Sequence, residues 1–115
     1  ASSQGHVEVV SVLGDRGADI NQANNNGATS LYIAAHNGHA EVVSVLVDHG
    51  ADINQARNDG ATPLFMAAHN GHVEVVSVLV DHAADINQAR NDGATSLYIA
   101  AQEGHAEVVS VLVDH

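Results

Sequence analysis

The stretch Asn58-Asp59-Gly60-Ala61-Thr62-Pro63-Leu64-Phe65-Met66-Ala67-Ala68-His69-Asn70-Gly71-His72-Val73-Glu74-Val75-Val76-Ser77-Val78-Leu79-Val80-Asp81 carries the punctuation that decides the fold. Asn58-Asp59-Gly60 is a turn signal, with glycine supplying a positive φ. Thr62 stands where a helix N-cap belongs, and Pro63 follows at the first helical position, where its missing N–H costs nothing. Leu64 to Ala68 then reads as a short helix with small residues on one side, ended by Asn70-Gly71. A second helix begins near His72 or Val73 and runs to Asp81, with Val75, Val76, Val78, Leu79 and Val80 covering most of its circumference. Its β-branched, partly alternating composition also fits a strand. Two features favour the helix. Glu74 near the start and a glycine just past the end of the equivalent segments (Gly17, Gly50) match helix termini. Valine is also a weak helix former rather than a breaker, so packing can override its preference.

Outward from this stretch the sequence repeats itself. Gly27, Gly60 and Gly93 are spaced by 33 residues, and so are Gly38, Gly71 and Gly104. His39 to His49 recurs as His72 to His82 with Val73 in place of Ala40, and again unchanged as His105 to His115. His6 to Arg16 follows the same template. A fixed period of this size marks stacked supersecondary units, none of which can bury its apolar side alone. The units are 1–23, 24–56, 57–89 and 90–115, the first and last partial, forming one domain over 1–115. The loop Ala84-Asp85-Ile86-Asn87-Gln88-Ala89 leads hairpin-like into the next turn.

The string Asp59-Gly60-Ala61-Thr62-Pro63-Leu64, Ala67-Ala68, Gly71-His72-Val73-Glu74-Val75-Val76, Leu79-Val80 and Ala84-Asp85-Ile86-Asn87 resembles the ankyrin repeat, and the resemblance covers the whole chain. It implies an all-α solenoid of helix-turn-helix units joined by β-hairpin-like loops. It further implies a non-catalytic protein–protein interaction module, cytoplasmic, that contacts its partner through the hairpin tips and the concave helical face. Carried over, the tip residues are Asn25, Asn26 and Ala28; Asn58, Asp59 and Ala61; and Asn91, Asp92 and Ala94. The helix-end residues are His36 and Asn37, His69 and Asn70, and Gln102 and Glu103. Ile33, Met66 and Ile99 either share this face or pack in the core.

The chain departs from the family pattern at four places. Tyr32, Phe65 and Tyr98 replace the usual His after Thr-Pro-Leu, so an aromatic ladder is expected there. Ser30 and Ser96 replace Pro, weakening two helix starts. Ala83 replaces a C-terminal glycine, at a cost of roughly 1 kcal/mol if the left-handed conformation is kept. Gly14 replaces a core Val.

Composition narrows the function. There are 14 acids, three Arg and no Lys, for a net charge of −11 with His neutral. Nucleic-acid binding rests on neutralising phosphates and anionic membranes attract basic segments, so both are disfavoured. A net charge of this size favours basic partners and fast association with them; the other reading is that the acids only keep the array soluble. The absence of Cys rules out disulfides and thiolate metal sites. No apolar run approaches the roughly 20 residues of a spanning helix, and the first residues do not read as a signal peptide.

Catalysis, cofactors and metals find no motif. Ser44, Ser77 and Ser110, and Glu41, Glu74 and Glu107, repeat with the fold, so helix placement explains them. The glycines fall at repeat intervals, not in a phosphate loop. The nine His include the pairs His36/His39 and His69/His72, but a Gly interrupts each, and zinc needs about four converging ligands. His6, His39, His72 and His105 are expected to bridge helix and hairpin backbone, and His49, His82 and His115 to be solvated. The chain opens and stops inside a repeat, with no polar cap. Val7, Val9, Val10, Val12 and Leu13 at one end, and Val108, Val109, Val111, Leu112 and Val113 at the other, are expected to be partly uncovered. That predicts a fragment of a longer array, or of a chain whose ends are disordered, with end-to-end self-association as a way to cover the faces. The alternative function is a structural spacer or engineered array with no partner of its own.

Overall fold

A computed structural model describes residues 20–115. The expectations for Val7 to Leu13, for Gly14 and Gly17, and for His6 lie outside them. The described residues hold six helices in three antiparallel pairs: α1 (Ser30–Asn37) with α2 (Ala40–Asp48), α3 (Pro63–Asn70) with α4 (Val73–Asp81), and α5 (Ser96–Gln102) with α6 (Ala106–Val113). The first helices α1, α3 and α5 pack in one row and the second helices α2, α4 and α6 in another, giving a two-layer stack. The valine-rich runs are helical, as their end signals require.

Each first helix is bounded by its own sequence. Thr29, Thr62 and Thr95 are extended N-caps whose Oγ1 accepts from the N–H of Tyr32, Phe65 and Tyr98 at 3.1, 3.0 and 3.1 Å. Such a cap satisfies one otherwise orphaned donor and is worth about 1 kcal/mol. Gly38 and Gly71 close α1 and α3 in the left-handed region. The second helix ends differently. His49, His82 and His115 are exposed, but they are not merely solvated: their Nδ1 lies 2.8, 2.8 and 2.9 Å from the carbonyls of Val45, Val78 and Val111. Each ring thereby adds a side-chain contact to a carbonyl in the last turn of its helix; the Val45 and Val78 carbonyls also accept from the backbone N–H of His49 and His82. Gly50 and, at the matching place, Ala83 then take positive φ, 92° and 68°. Ala83 therefore keeps the conformation that the missing glycine would favour.

The core lies between the two layers and between successive pairs. Leu31, Leu64, Phe65, Val43, Val75, Val76, Leu79 and Val108 are buried, with Ala35, Ala67, Ala68 and Ala100 letting the helices approach. Of the C-terminal residues expected to be uncovered, Val108 and Leu112 are buried and Val109 and Val111 half-buried; Val113 alone among them is exposed. The helices α4 and α6 pack closely enough that one neighbour suffices for most of this face.

The loops contain no strand among the described residues, yet they are hydrogen-bonded turns. Arg57 N–H donates to the Ala61 carbonyl and Gly60 N–H to the Arg57 carbonyl, both at 2.8 Å, and Arg90, Ala94 and Gly93 repeat this. Adjacent turns join edge to edge, because Asn58 N–H donates to the Asn26 carbonyl and Asn91 N–H to the Asp59 carbonyl, each at 2.9 Å.

Candidate functional site

The candidate surface is the edge of the stack where the turn tips meet the ends of the first helices. The tip conformation is fixed in two chemical ways. In the first turn, Asn24 Oδ1 accepts from Asn26 N–H at 2.9 Å and Ala28 N–H at 3.0 Å. In the next two turns an Arg occupies the corresponding place, and an Asp takes over the acceptor role. Asp59 Oδ1 accepts from Ala61 N–H at 3.0 Å, and Arg57 holds the same carboxylate through Nε at 3.2 Å and Nη2 at 2.6 Å. Arg90 holds Asp92 in the same way, at 3.1 and 2.5 Å, while Asp92 accepts from Ala94 N–H at 3.1 Å. The hydrogen bond from Arg57 is the first reason that the Asp59 carboxyl titrates below the ordinary carboxylate range. For Asp92 the Arg90 hydrogen bond, followed by the Ala94 N–H, lowers it to about 2.

These arginines also reach the preceding repeat. The Arg57 guanidinium lies 5.2 Å from the centroid of the Tyr32 ring and that of Arg90 4.9 Å from the Phe65 ring. The expected aromatic ladder is thus interleaved: each buried ring is covered by the arginine of the following repeat, a cation–π contact. Tyr32 Oη is buried without a hydrogen-bond partner, and burial pushes its pKa up. Tyr98, at the same position, is 59% exposed.

The tip and helix-end residues separate into two groups. Ala28 and Ala61 are buried, because their backbones close the turns, so they offer no side-chain contact to a partner, contrary to the expectation. Asn58 and Asn91 are exposed, but their Nδ2 atoms donate to the carbonyls of Asn25 and Asn58 at 3.1 Å. Asn70 Nδ2 donates to the His36 carbonyl at 3.0 Å. His36 and His69 each meet the Oδ1 of the next residue, Asn37 and Asn70, at 3.1 and 3.0 Å, and His69 Nε2 lies 3.8 Å from Glu103 Oε1. Asn25, Asn26, His36, Asn37, Asn91, Asp92, Gln102 and Glu103 are exposed, and Asp59, His69, Asn70 and Ala94 half-buried. The structure therefore brings these residues to one edge but uses several of them to lock one repeat to the next. Ile99 is buried, Met66 half-buried and Ile33 exposed, so this position changes from surface to core along the stack.

The His ladder at the start of the second helices is structural. His72 Nε2 bonds the His36 carbonyl at 3.0 Å and His105 Nε2 the His69 carbonyl at 2.9 Å. Their target is the end of the preceding first helix rather than a hairpin backbone. The ring sits so close that a Cβ built on Gly38 would lie 2.8 Å from His72 Nδ1. Glycine is needed there twice, for its φ of 79° and for this approach. A second ladder joins the loops: Asn21 Oδ1 accepts from Asp52 N–H at 2.6 Å and Asn54 Oδ1 from Asp85 N–H at 2.8 Å. Among the described residues no three His, Asp or Glu side chains are grouped to hold a metal ion. No helix among them is long and apolar enough to cross a membrane.

Sequence reasoning missed the role of Arg57 and Arg90. The signal was present, since an Arg recurs two residues before each of Asp59 and Asp92. A comparison with curated proteins gives no match. A family model of ankyrin repeats in 3 copies matches residues 1–57 and 54–115. With that match spanning the chain and three helix pairs stacked in register, this protein belongs to the ankyrin repeat family.

Proposed function

We propose that this chain binds a basic, extended segment of a partner protein along the edge formed by its turn tips and first-helix ends. Ankyrin repeats are in general protein–protein interaction modules and typically non-enzymatic. The observation that supports the finer reading is the polar edge itself. Asn25, His36, Asn37, Asn91, Asp92, Gln102 and Glu103 are presented at repeat intervals on turns and helix ends tied to one another by hydrogen bonds. A rigid, pre-ordered edge loses little entropy on binding. The charge of −11 favours a basic partner and speeds its approach. With Arg57 and Arg90 each engaged by an Asp of its own turn, the outer acids Glu41, Glu74, Glu107, Asp52 and Asp85 add to this field. A cytoplasmic location is part of the same proposal and rests on the family.

A second reading, a structural spacer, is favoured by one observation: Asn58, Asn70 and Asn91 spend their side-chain amides on the preceding repeat. Retention of a defined protein on the immobilised chain separates the two. Replacing Gln102 and Glu103 by Lys should release that partner by reversing the charge on the edge. Replacing Glu74 by Lys, on the outer helix, should leave it bound. Equal release by both, or no specifically retained protein, would refute the edge as a binding site and favour the spacer.

A further inference from the structure

Three asparagines stand directly before a glycine, in Asn26-Gly27, Asn37-Gly38 and Asn70-Gly71. This dipeptide has a chemistry of its own, because glycine has no Cβ to shield its backbone nitrogen. That nitrogen can attack the asparagine Cγ. The new N–Cγ bond closes a succinimide ring, the Cγ–Nδ2 bond breaks, and the amide leaves as ammonia with the proton that the glycine nitrogen gives up. Water then opens the ring at either carbonyl, leaving aspartate or its β-linked isomer. Water is the only co-reactant.

The fold treats the three sites differently. Asn37 and Asn70 form an internal comparison, since Ala34 to His39 and Ala67 to His72 have the same sequence. Their backbones match as well. Gly38 and Gly71 have φ of 79° and 75°, and their N–H groups donate to the Ala35 and Ala68 carbonyls, both at 3.3 Å. Each Oδ1 lies beside the Nδ1 of the preceding histidine, at 3.1 and 3.0 Å. One contact separates them. Asn70 is half-buried and its Nδ2 donates to the His36 carbonyl at 3.0 Å. Asn37 is exposed, and its Nδ2 makes no hydrogen bond among the described residues. Asn26 is exposed too, but its carbonyl accepts from Asn58 N–H at 2.9 Å. Closing the ring swings the Asn-Gly peptide and would break that link between turns.

We propose that Asn37 is a modification site, the Asn-Gly amide that the fold leaves open to spontaneous deamidation, while stacking between repeats protects Asn70 and Asn26. The product sets a carboxylate at the C-terminal end of α1, where the helix dipole disfavours negative charge. The β-linked isomer also adds a methylene to the backbone just before Gly38, against which the His72 ring is packed. The α1–α3 junction therefore loosens as the site converts. Because this chemistry needs no partner, it stands or falls apart from the edge proposed above.

The test holds the folded, isotope-labelled whole chain at neutral pH and follows the side-chain amide signals of the three asparagines by NMR. Mass spectrometry checks that each loss replaces ammonia by water. Asn37 should fade about three- to tenfold faster than Asn70, the factor that one intramolecular hydrogen bond supplies. In urea the identical segments should react at equal rates by peptide mapping. Asn37→Gln should abolish the fast phase, because its ring would need one more atom, and this exposed change leaves the helix content by circular dichroism intact. Loss of Asn70 or Asn26 as fast as Asn37 in the folded chain would overturn the proposal. So would an excess at Asn37 that persists in urea, since the fold would then play no part.

Discussion

Replacing Ala83 by Gly should stabilise the protein, and replacing Gly50 by Ala should destabilise it by a similar amount. The two residues follow the second helices of successive repeats and have φ of 68° and 92°. In this region a Cβ crowds the backbone at about 1–2 kcal/mol. Glycine, however, also loosens the unfolded chain, which costs about 0.4–1 kcal/mol. The net gain for Ala83→Gly is then about 0.5–1 kcal/mol. No steric term intrudes, because a Cβ on Gly50 would meet nothing within 4 Å, so Gly50→Ala measures the same dihedral cost with the opposite sign. Gly60→Ala provides the contrast. Its φ is 88°, but its Cβ would also lie 2.5 Å from Asn91 Oδ1 and 2.7 Å from Asn91 N, which joins the two turns. That substitution should cost clearly more, since the junction between repeats must shift. Thermal unfolding followed at 222 nm reads all three, with about 4–8 °C expected per kcal/mol for a chain of this size. A lower midpoint for Ala83→Gly, or equal losses for Gly50→Ala and Gly60→Ala, would refute the reasoning.

Tyr32→Phe should raise the urea midpoint by an amount equivalent to about 1 kcal/mol, because it removes a buried hydroxyl without a partner and Phe65 already fills the same place one repeat on. His72→Ala should lose about 1 kcal/mol with the bond to the His36 carbonyl, and hydrogen exchange should show the loss concentrated at the junction between α1 and α3 rather than throughout. Asp92 has its folded pKa lowered to about 2 from an ordinary 3.8, so its contribution to stability is complete above the ordinary value and is lost as pH falls from there toward 2. The carboxyl carbon shift of Asp92 should titrate in that low range, and Arg90→Gln should move the titration upward.

Much of the fold was legible because the period fixes both the register and the partner of every apolar face. Once Gly27, Gly60 and Gly93 are aligned, the glutamate near the start of each valine run and the glycine past the end of two of them read as helix termini, which favours helix over strand. Thr62-Pro63 and Asn70-Gly71 then place the first helix within one or two residues of Pro63–Asn70. What escaped was chemistry between repeats. Reading Asn58 and Asn70 as surface residues is correct for Asn58 in exposure, yet their amides reach carbonyls some 33 and 34 positions back. That reach depends on the spacing between stacked turns, which the order of residues does not state. The arginine covers were hidden for the same reason: Arg57 pairs locally with Asp59 while its guanidinium face meets a ring in the preceding unit. Ala28 and Ala61 misled because a turn tip suggests exposure, whereas the closing residue of these turns points inward.

The central claim is that equivalent positions of successive repeats lie side by side, and nuclear Overhauser contacts test it most directly. The account predicts contacts between the His72 ring and Gly38, between the His105 ring and Gly71, and between the Asn91 side chain and Gly60. Cross-strand Hα–Hα contacts within Val73 to Val80, with no contact between one glycine and the next repeat's histidine, would contradict it.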